Sequence, residues 1–328
     1  MTGTIRGDQA TATQAPRPAS GEALRARRRA RVLRWARWAF LIPAGAYVLF
    51  AFAVPVVYNL ILSFEQTSPA TIASLFAPFA GFANYSATIG QSATQSVLLH
   101  TLLFTVGSLV FQFLIGFSLA LLFQVKFPGG VLARSLVIVP WLLPFLITGT
   151  IFRFLFQLEA GAVNQLLSAL GLISQPIGFL LTPHWAFTVV LITNIWLGIP
   201  FFTVLLYSAL QDVPPEIKEA AMIDGASFWP RLTKVTLPII RPVIEVTFVL
   251  GFVFTVKVFD IVIGLTNGGP ANSTQLIATW AYNLSFQQFS FGEGAALNNV
   301  LLVLALVCSP IYLFLSRDSL RRSSGVNP

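Results

Sequence analysis

Charge is what this chain has least of. Only 10% of its 328 residues are Asp, Glu, Lys or Arg, while 55% are hydrophobic; soluble domains carry about a quarter charged residues. A chain so composed cannot clothe itself in polar surface, so lipid is its expected solvent. Cysteine is nearly absent. The one thiol, Cys308, lies in an apolar run, which excludes an intrachain disulfide and a cysteine metal site and reads as a small buried hydrophobe. The two histidines, His100 and His184, stand far apart at the edges of apolar segments. None of the four lysines follows a glycine, so no phosphate-binding Walker loop exists. HExxH, CxxC and a serine-nucleophile elbow are missing as well. ATP hydrolysis and covalent chemistry are therefore not expected on this chain.

What is present is long apolar runs. Six are long enough for the roughly 20 helical residues that a hydrocarbon core demands: Trp38–Phe64, Val97–Phe123, Ser135–Phe156, Trp185–Leu210, Val243–Leu265 and Ala295–Leu315. The first follows a basic stretch and contains Ala51-Phe52-Ala53, which imitates a cleavable secretory signal. Its apolar run continues to Leu62, too long for a signal core, and predicts a retained anchor. Residues 1–34, rich in Ala, Thr, Pro and Arg, read as a disordered basic tail, and 317–328 as a second short tail.

The net charge of +8 is not spread evenly. Nine of the twenty basic residues precede Trp38, and Lys126, Arg134, Lys218, Arg231, Lys234, Arg241, Arg317, Arg321 and Arg322 fall on the same side of six spans. The opposite loops, 65–96, 157–184 and 266–294, hold none. Cytoplasmic segments collect Lys and Arg, so this predicts six spans with both termini in the cytoplasm. The basic clusters then face anionic headgroups, and no nucleic acid is required as a partner.

The segment Gln211 to Pro242 carries the most information. It runs Asp212-Val213-Pro214-Pro215-Glu216-Ile217-Lys218-Glu219-Ala220-Ala221-Met222-Ile223-Asp224-Gly225-Ala226. Proline suits a first helical turn and glycine a helix stop. A second short helix is expected from Ser227, ending before Leu237-Pro238. Ile217, Ala220 and Ala221 share one face. An amphipathic loop resting on lipid accounts for Arg231 and Lys234 but not for the acidic, alanine-rich first half.

This loop resembles the EAA motif of permease subunits in binding-protein-dependent ABC importers: EAA, three residues, G, nine residues, then I-x-L-P. Here Glu219-Ala220-Ala221 precedes Gly225, and Val235-Thr236-Leu237-Pro238 follows at the required spacing, with valine replacing isoleucine. Val139-Pro140-Trp141-Leu142-Leu143-Pro144, Phe259-Asp260 before Leu265-Thr266-Asn267-Gly268-Gly269-Pro270, and Gly292-Glu293-Gly294-Ala295-Ala296 resemble segments of its MalF/UgpA-like carbohydrate branch.

The resemblance covers roughly residues 38–316. It implies an all-α, six-helix permease domain (35–316) of the type I importer (MetI-like) fold in a bacterial cytoplasmic membrane. The 212–241 loop would dock on a separate ATPase through Glu219, Ala220, Ala221, Asp224, Gly225, Leu237 and Pro238. It implies a second permease, two ATPase domains that bind the ATP and Mg, and an extracytoplasmic binding lipoprotein delivering a sugar-like solute.

For the solute path the residues suggest Asn194, Trp196, Lys257, Asp260 and Tyr282, with Trp280 beside them. Lys257 and Asp260, three apart, are expected on one helical face, paired with each other, with a partner subunit, or lining the path. Gly198 and Pro200 are expected to open the fourth span at mid-depth. Arg153 and Glu159 suggest gate or interface contacts. Two rivals remain open at this stage besides a permease for a non-sugar solute. An ion-coupled transporter would need repeats and paired buried carboxylates, and a membrane enzyme would need a cluster of His, Asp or Glu.

Overall fold

The computed structural model describes residues 41–67, 69–71 and 77–315, with side chains through residue 307. The tails expected at 1–34 and 317–328, and the side chain of Cys308, lie outside the described residues. The chain divides into two units, 1–58 and 59–328. In the first, the described residues form a helix that runs on as α1 (Leu41–Leu62), apolar throughout. A π turn at Leu49–Ala53 lies just ahead of Pro55. Pro55 has no N–H to bond the carbonyl four residues back, and a widened turn accommodates its ring.

The second unit is helical: α2 (Ala83–Gly90), α3 (Ser92–Leu122), α4 (Gly130–Leu142), α5 (Phe145–Leu155), α6 (Ala162–Ala169), α7 (Pro183–Gln211), α8 (Pro215–Ile223), α9 (Phe228–Val256), α10 (Asp260–Leu265), α11 (Ile277–Tyr282) with a π turn at Asn283–Gln287, and α12 (Phe291–Leu315). Among the described residues the β pairing is one isolated bridge, Glu65 with Phe79. α1, α3, α7 and α9 are long and apolar enough to cross a membrane. The bent pair α4 and α5 makes a fifth candidate span, and the apolar described part of α12, Phe291–Val307, is shorter.

Two of the expected runs, and the expected end of the short helix from Ser227, depart from the structure. Ser135–Phe156 is not one helix: α4 and α5 meet at 104°. Leu143 and Pro144 are extended, with ψ of 135° and 134°, because a proline pushes its predecessor out of the helical region. Val243–Leu265 is also broken. α9 ends at Val256, Lys257 to Phe259 leave the helix, and α10 begins at Asp260. At its other end α9 does not stop before Leu237-Pro238. It is continuous from Phe228, and a π turn at Leu232–Thr236 absorbs the missing donor of Pro238.

Lipid tails give helices no hydrophobic reason to associate, so close van der Waals approach at small residues must do it. Two crossings show this. A Cβ on Gly149 of α5 would meet the Ile261 carbonyl oxygen at 2.7 Å, and one on Gly264 of α10 would meet that of Leu146 at 2.5 Å. Between α3 and α7, a Cβ on Gly116 would lie 2.7 Å from that of Phe202. Three buried clusters hold the unit, around Trp280 and Leu297, around Phe104 and Val262, and around Phe202 and Leu210. On the outward flank of α3, Leu99, Leu102, Leu103, Val106 and Val110 are exposed. Such a continuous apolar stripe suits lipid or a partner helix, not water.

Candidate functional site

The 212–241 segment forms an elbow anchored at one end and bare at the other. Val213, 2% exposed, is seated in the cluster with Leu206, Leu210 and Ile240. Lys218 Nζ donates to the Leu210 carbonyl at 3.1 Å, satisfying an orphan acceptor at the negative end of α7. α8 starts on Pro215 and carries Glu216 in its first turn, as its positive end favours. It stops where Ala226 N–H donates back to the Ala221 carbonyl at 2.9 Å, with Gly225 at φ +77°. That left-handed position is easy for glycine and strained for any residue with a Cβ.

Glu219, Ala220, Asp224, Gly225 and Pro238 are exposed, while Ala221 and Leu237 are half-buried. Sequence reasoning overlooked the apolar tip. Met222 and Phe228 are exposed, Ile223 is 86% exposed and Trp229 69%. The signal was there in Met222-Ile223 and Phe228-Trp229 flanking the helix stop. A polar surface loop has no use for four large apolar groups unless something covers them.

The second arrangement is a cavity of about 440 Å³ at the break between α9 and α10. Lys257 and Asp260 both line it. Of the roles left open for them, pairing with each other is absent: no nitrogen–oxygen approach within 4.0 Å joins them. Among the described residues the ion pair is Arg241 Nε with Glu245 Oε1 at 2.7 Å. The helix break is the reason, since it removes the shared face that three-residue spacing would give. Lys257 instead caps the carboxyl end of α9, where the helix dipole favours a cation, with Nζ 5.4 Å from the Phe254 ring. Glu245, 6% exposed, escaped notice in the sequence because it is a single carboxylate in an apolar run.

Asn194, also on the cavity wall, is 6% exposed and donates from Nδ2 to Ser108 Oγ at 2.8 Å. Gln112 Nε2 donates to the Asn194 carbonyl at 2.9 Å. The Gln112 amide fills the space where a Cβ on Gly198 would stand. So Gly198 serves close approach, and the expected opening of the span at Gly198 and Pro200 does not occur: α7 runs unbroken from Pro183 to Gln211. Aromatic rings complete the wall. Trp141 lies edge-on to Phe201 at 6.1 Å, and Phe201 to Phe254 at 5.6 Å.

Other expected path residues sit elsewhere. Trp196 faces Phe152 at 5.4 Å and does not line the cavity. Tyr282 packs on Phe259, a cavity residue, at 5.2 Å. Trp280 is core: its Nε1 donates to Thr94 Oγ1 at 3.0 Å and the residue is 5% exposed. Arg153 lines a separate hollow with Phe179, Thr266 and Asn267, and Glu159 is exposed. Among the described residues no three His, Cys, Asp or Glu side chains gather as a metal site would need.

Residues 112–322 match the family of binding-protein-dependent transport system inner membrane components. The chain belongs to that family and is a multi-pass membrane protein. It is 33% identical over 240 residues to the trehalose/maltose transport system permease protein MalF of Thermococcus litoralis, covering 73% of this chain and 80% of that one. It is 31% identical over 297 residues to the sulfoquinovosyl glycerol permease SmoG of Agrobacterium fabrum, covering 87% and 94%. Its fold matches a chain of a bacterial ABC transporter involved in the import of the acidic polysaccharide alginate. The TM-score there is 0.77 at 25% identity, over 89% of this chain and 99% of that one. Membership in this family sets aside the ion-coupled transporter and the membrane enzyme.

Proposed function

We propose that this chain is one of two permease subunits of an ATP-binding-cassette importer for a sugar or sugar-like solute in a bacterial cytoplasmic membrane. The observation that carries the reading is the bare elbow of α8 and the start of α9. Glu219, Gly225 and the apolar tip stand clear of the rest of the unit, while Val213 and Lys218 tie their base to α7. A push on the tip is thereby passed to a helix that lines the cavity. An ATPase subunit that binds ATP and Mg grips this elbow, and its closure on ATP moves α7 and α9 together. A second ATPase grips the partner permease, and a binding protein delivers the solute from outside.

Six spans with both termini in the cytoplasm complete the reading. The bent pair α4–α5 serves as the third and α12 as the sixth, supported by the absence of Lys and Arg from loops 65–96, 157–184 and 266–294. The cavity supports a sugar path: flat rings at Trp141, Phe201 and Phe254 suit the C–H faces of a pyranose. A few placed polar groups, Asn194, Lys257 and Asp260, suit its hydroxyls. The named relatives handle both neutral disaccharides and an acidic polysaccharide, so family membership leaves the charge of the solute open.

The test is uptake and ATP hydrolysis by the assembled importer in vesicles. Glu219→Ala and Gly225→Val are expected to leave insertion and assembly intact. Each lowers uptake per ATP by about tenfold, within the usual range of coupling energies. Normal transport by both variants would remove the elbow from the mechanism.

A further inference from the structure

Lys257 and Asp260 are the two charged residues among those lining the cavity, and they do not pair with each other. Opposite charges kept apart beside apolar rings make a site that is neutral in sum but polar at two points. An anionic solute entering it meets Lys257 favourably and Asp260 unfavourably. A cationic one meets the reverse. Either would also surrender hydration without a net opposing charge to replace it. A neutral polyol escapes this conflict. Its hydroxyls donate to the Asp260 carboxylate and accept from the Lys257 ammonium at once, and charge-assisted hydrogen bonds are the stronger kind.

We infer that Lys257 and Asp260 act together as the charge filter of the solute path, admitting neutral polyhydroxylated solutes and turning away charged ones. The inference rests on the sugar-path reading of this cavity. Each carries one half of the balance. Removing Asp260's charge leaves a cationic site suited to a sugar acid, and removing Lys257's leaves an anionic site suited to an amino sugar.

Trp141 lines the same cavity and supplies the readout. The full importer complex in lipid nanodiscs is titrated with glucose, glucuronate and glucosamine while tryptophan fluorescence is followed. Trp141→Phe identifies the part of the signal that belongs to the cavity. The wild-type protein is expected to respond to glucose at the lowest concentration. Asp260→Asn moves the preference toward glucuronate and Lys257→Gln toward glucosamine. Each shift is about tenfold, slightly more than one charge pair at contact is worth in bulk water. An unchanged order of the three sugars in both variants overturns the filter while leaving the sugar path standing. Loss of the partner permease from either variant on size exclusion, with glucose still preferred by the complex that survives, shows that the charges serve subunit pairing and also overturns it. Failure of the wild-type cavity signal with all three sugars overturns the sugar reading itself, and the filter with it.

Discussion

The elbow and the cavity are built on opposite plans. The elbow is local: one stretch of about 30 residues contains its helix start, its glycine stop and its apolar tip, and its geometry follows from neighbours in sequence. The cavity is assembled from α3, α4, α5, α7, α9, α10 and the break between the last two, segments separated by up to 149 residues between Gln112 and Ile261. A local device tolerates change at its exposed positions and loses mainly function. An assembled one depends on helix crossings, so a single added methyl at a crossing is felt as stability first.

That contrast can be broken most decisively at the α5–α10 crossing. Gly149→Val drives side-chain atoms into the Ile261 carbonyl and is expected to cost about 3 kcal/mol or more, as overpacking at an unyielding contact does. Folded, monodisperse complex should largely disappear from detergent extracts. Gly225→Val, also at a glycine, has open space around it and is strained by only about 1–2 kcal/mol. It should be recovered in normal yield yet fail to couple. Equal yields for these two variants would erase the distinction between the regions.

A finer probe lies where Gln112 meets Gly198. Gly198→Ala displaces the Gln112 amide and is expected to lower the melting temperature of the complex. Gln112→Ala in the same chain should restore part of the loss. A coupling energy of about 1–2 kcal/mol is expected from the double-mutant cycle, since the two residues share one contact. Additive losses would mean that the amide has room to turn aside.

Trp229→Ser on the elbow tip is expected to leave melting unchanged and to weaken retention of the ATPase by about 1–2 kcal/mol, as for an apolar interface anchor. Co-purification at increasing dilution reads this out. The smallest effect is reserved for Lys218→Met, which frees the Leu210 carbonyl. A loss of about 0.5–1 kcal/mol in stability is expected, the worth of a cation at a helix end, with a modest fall in uptake per ATP.

Much of the helical plan was legible because bilayer-length runs of apolar residues have few alternatives to helix. The second and fourth expected runs agree with α3 and α7 to within a few residues. The first helix of the elbow was legible too, since proline starts and glycine stops act on adjacent backbone, but the run of the second helix through Leu237-Pro238 was not. Three further features were not. The 104° bend carried a hint in Pro140 and Pro144, but proline marks a place of bending without saying by how much. The break at Lys257 to Phe259 had no breaker residue at all; α10 leaves the α9 axis and crosses α5 through Gly149 and Gly264. Trp280, expected beside the solute path, is a core residue whose partner, Thr94, stands 186 residues away.

Composition and the long apolar runs therefore settled the solvent of this protein and its helical make-up, because the cost of unpaired backbone in lipid acts on every residue wherever it sits. A short motif settled the first helix of the elbow and its glycine stop, because caps and stops are written between neighbours. Which charges stand apart, which glycine shelters an amide and which rings wall the cavity was decided only when distant helices met. Contacts of that kind depend on atoms a few ångströms apart in space and far apart along the chain, and no local pattern encodes them.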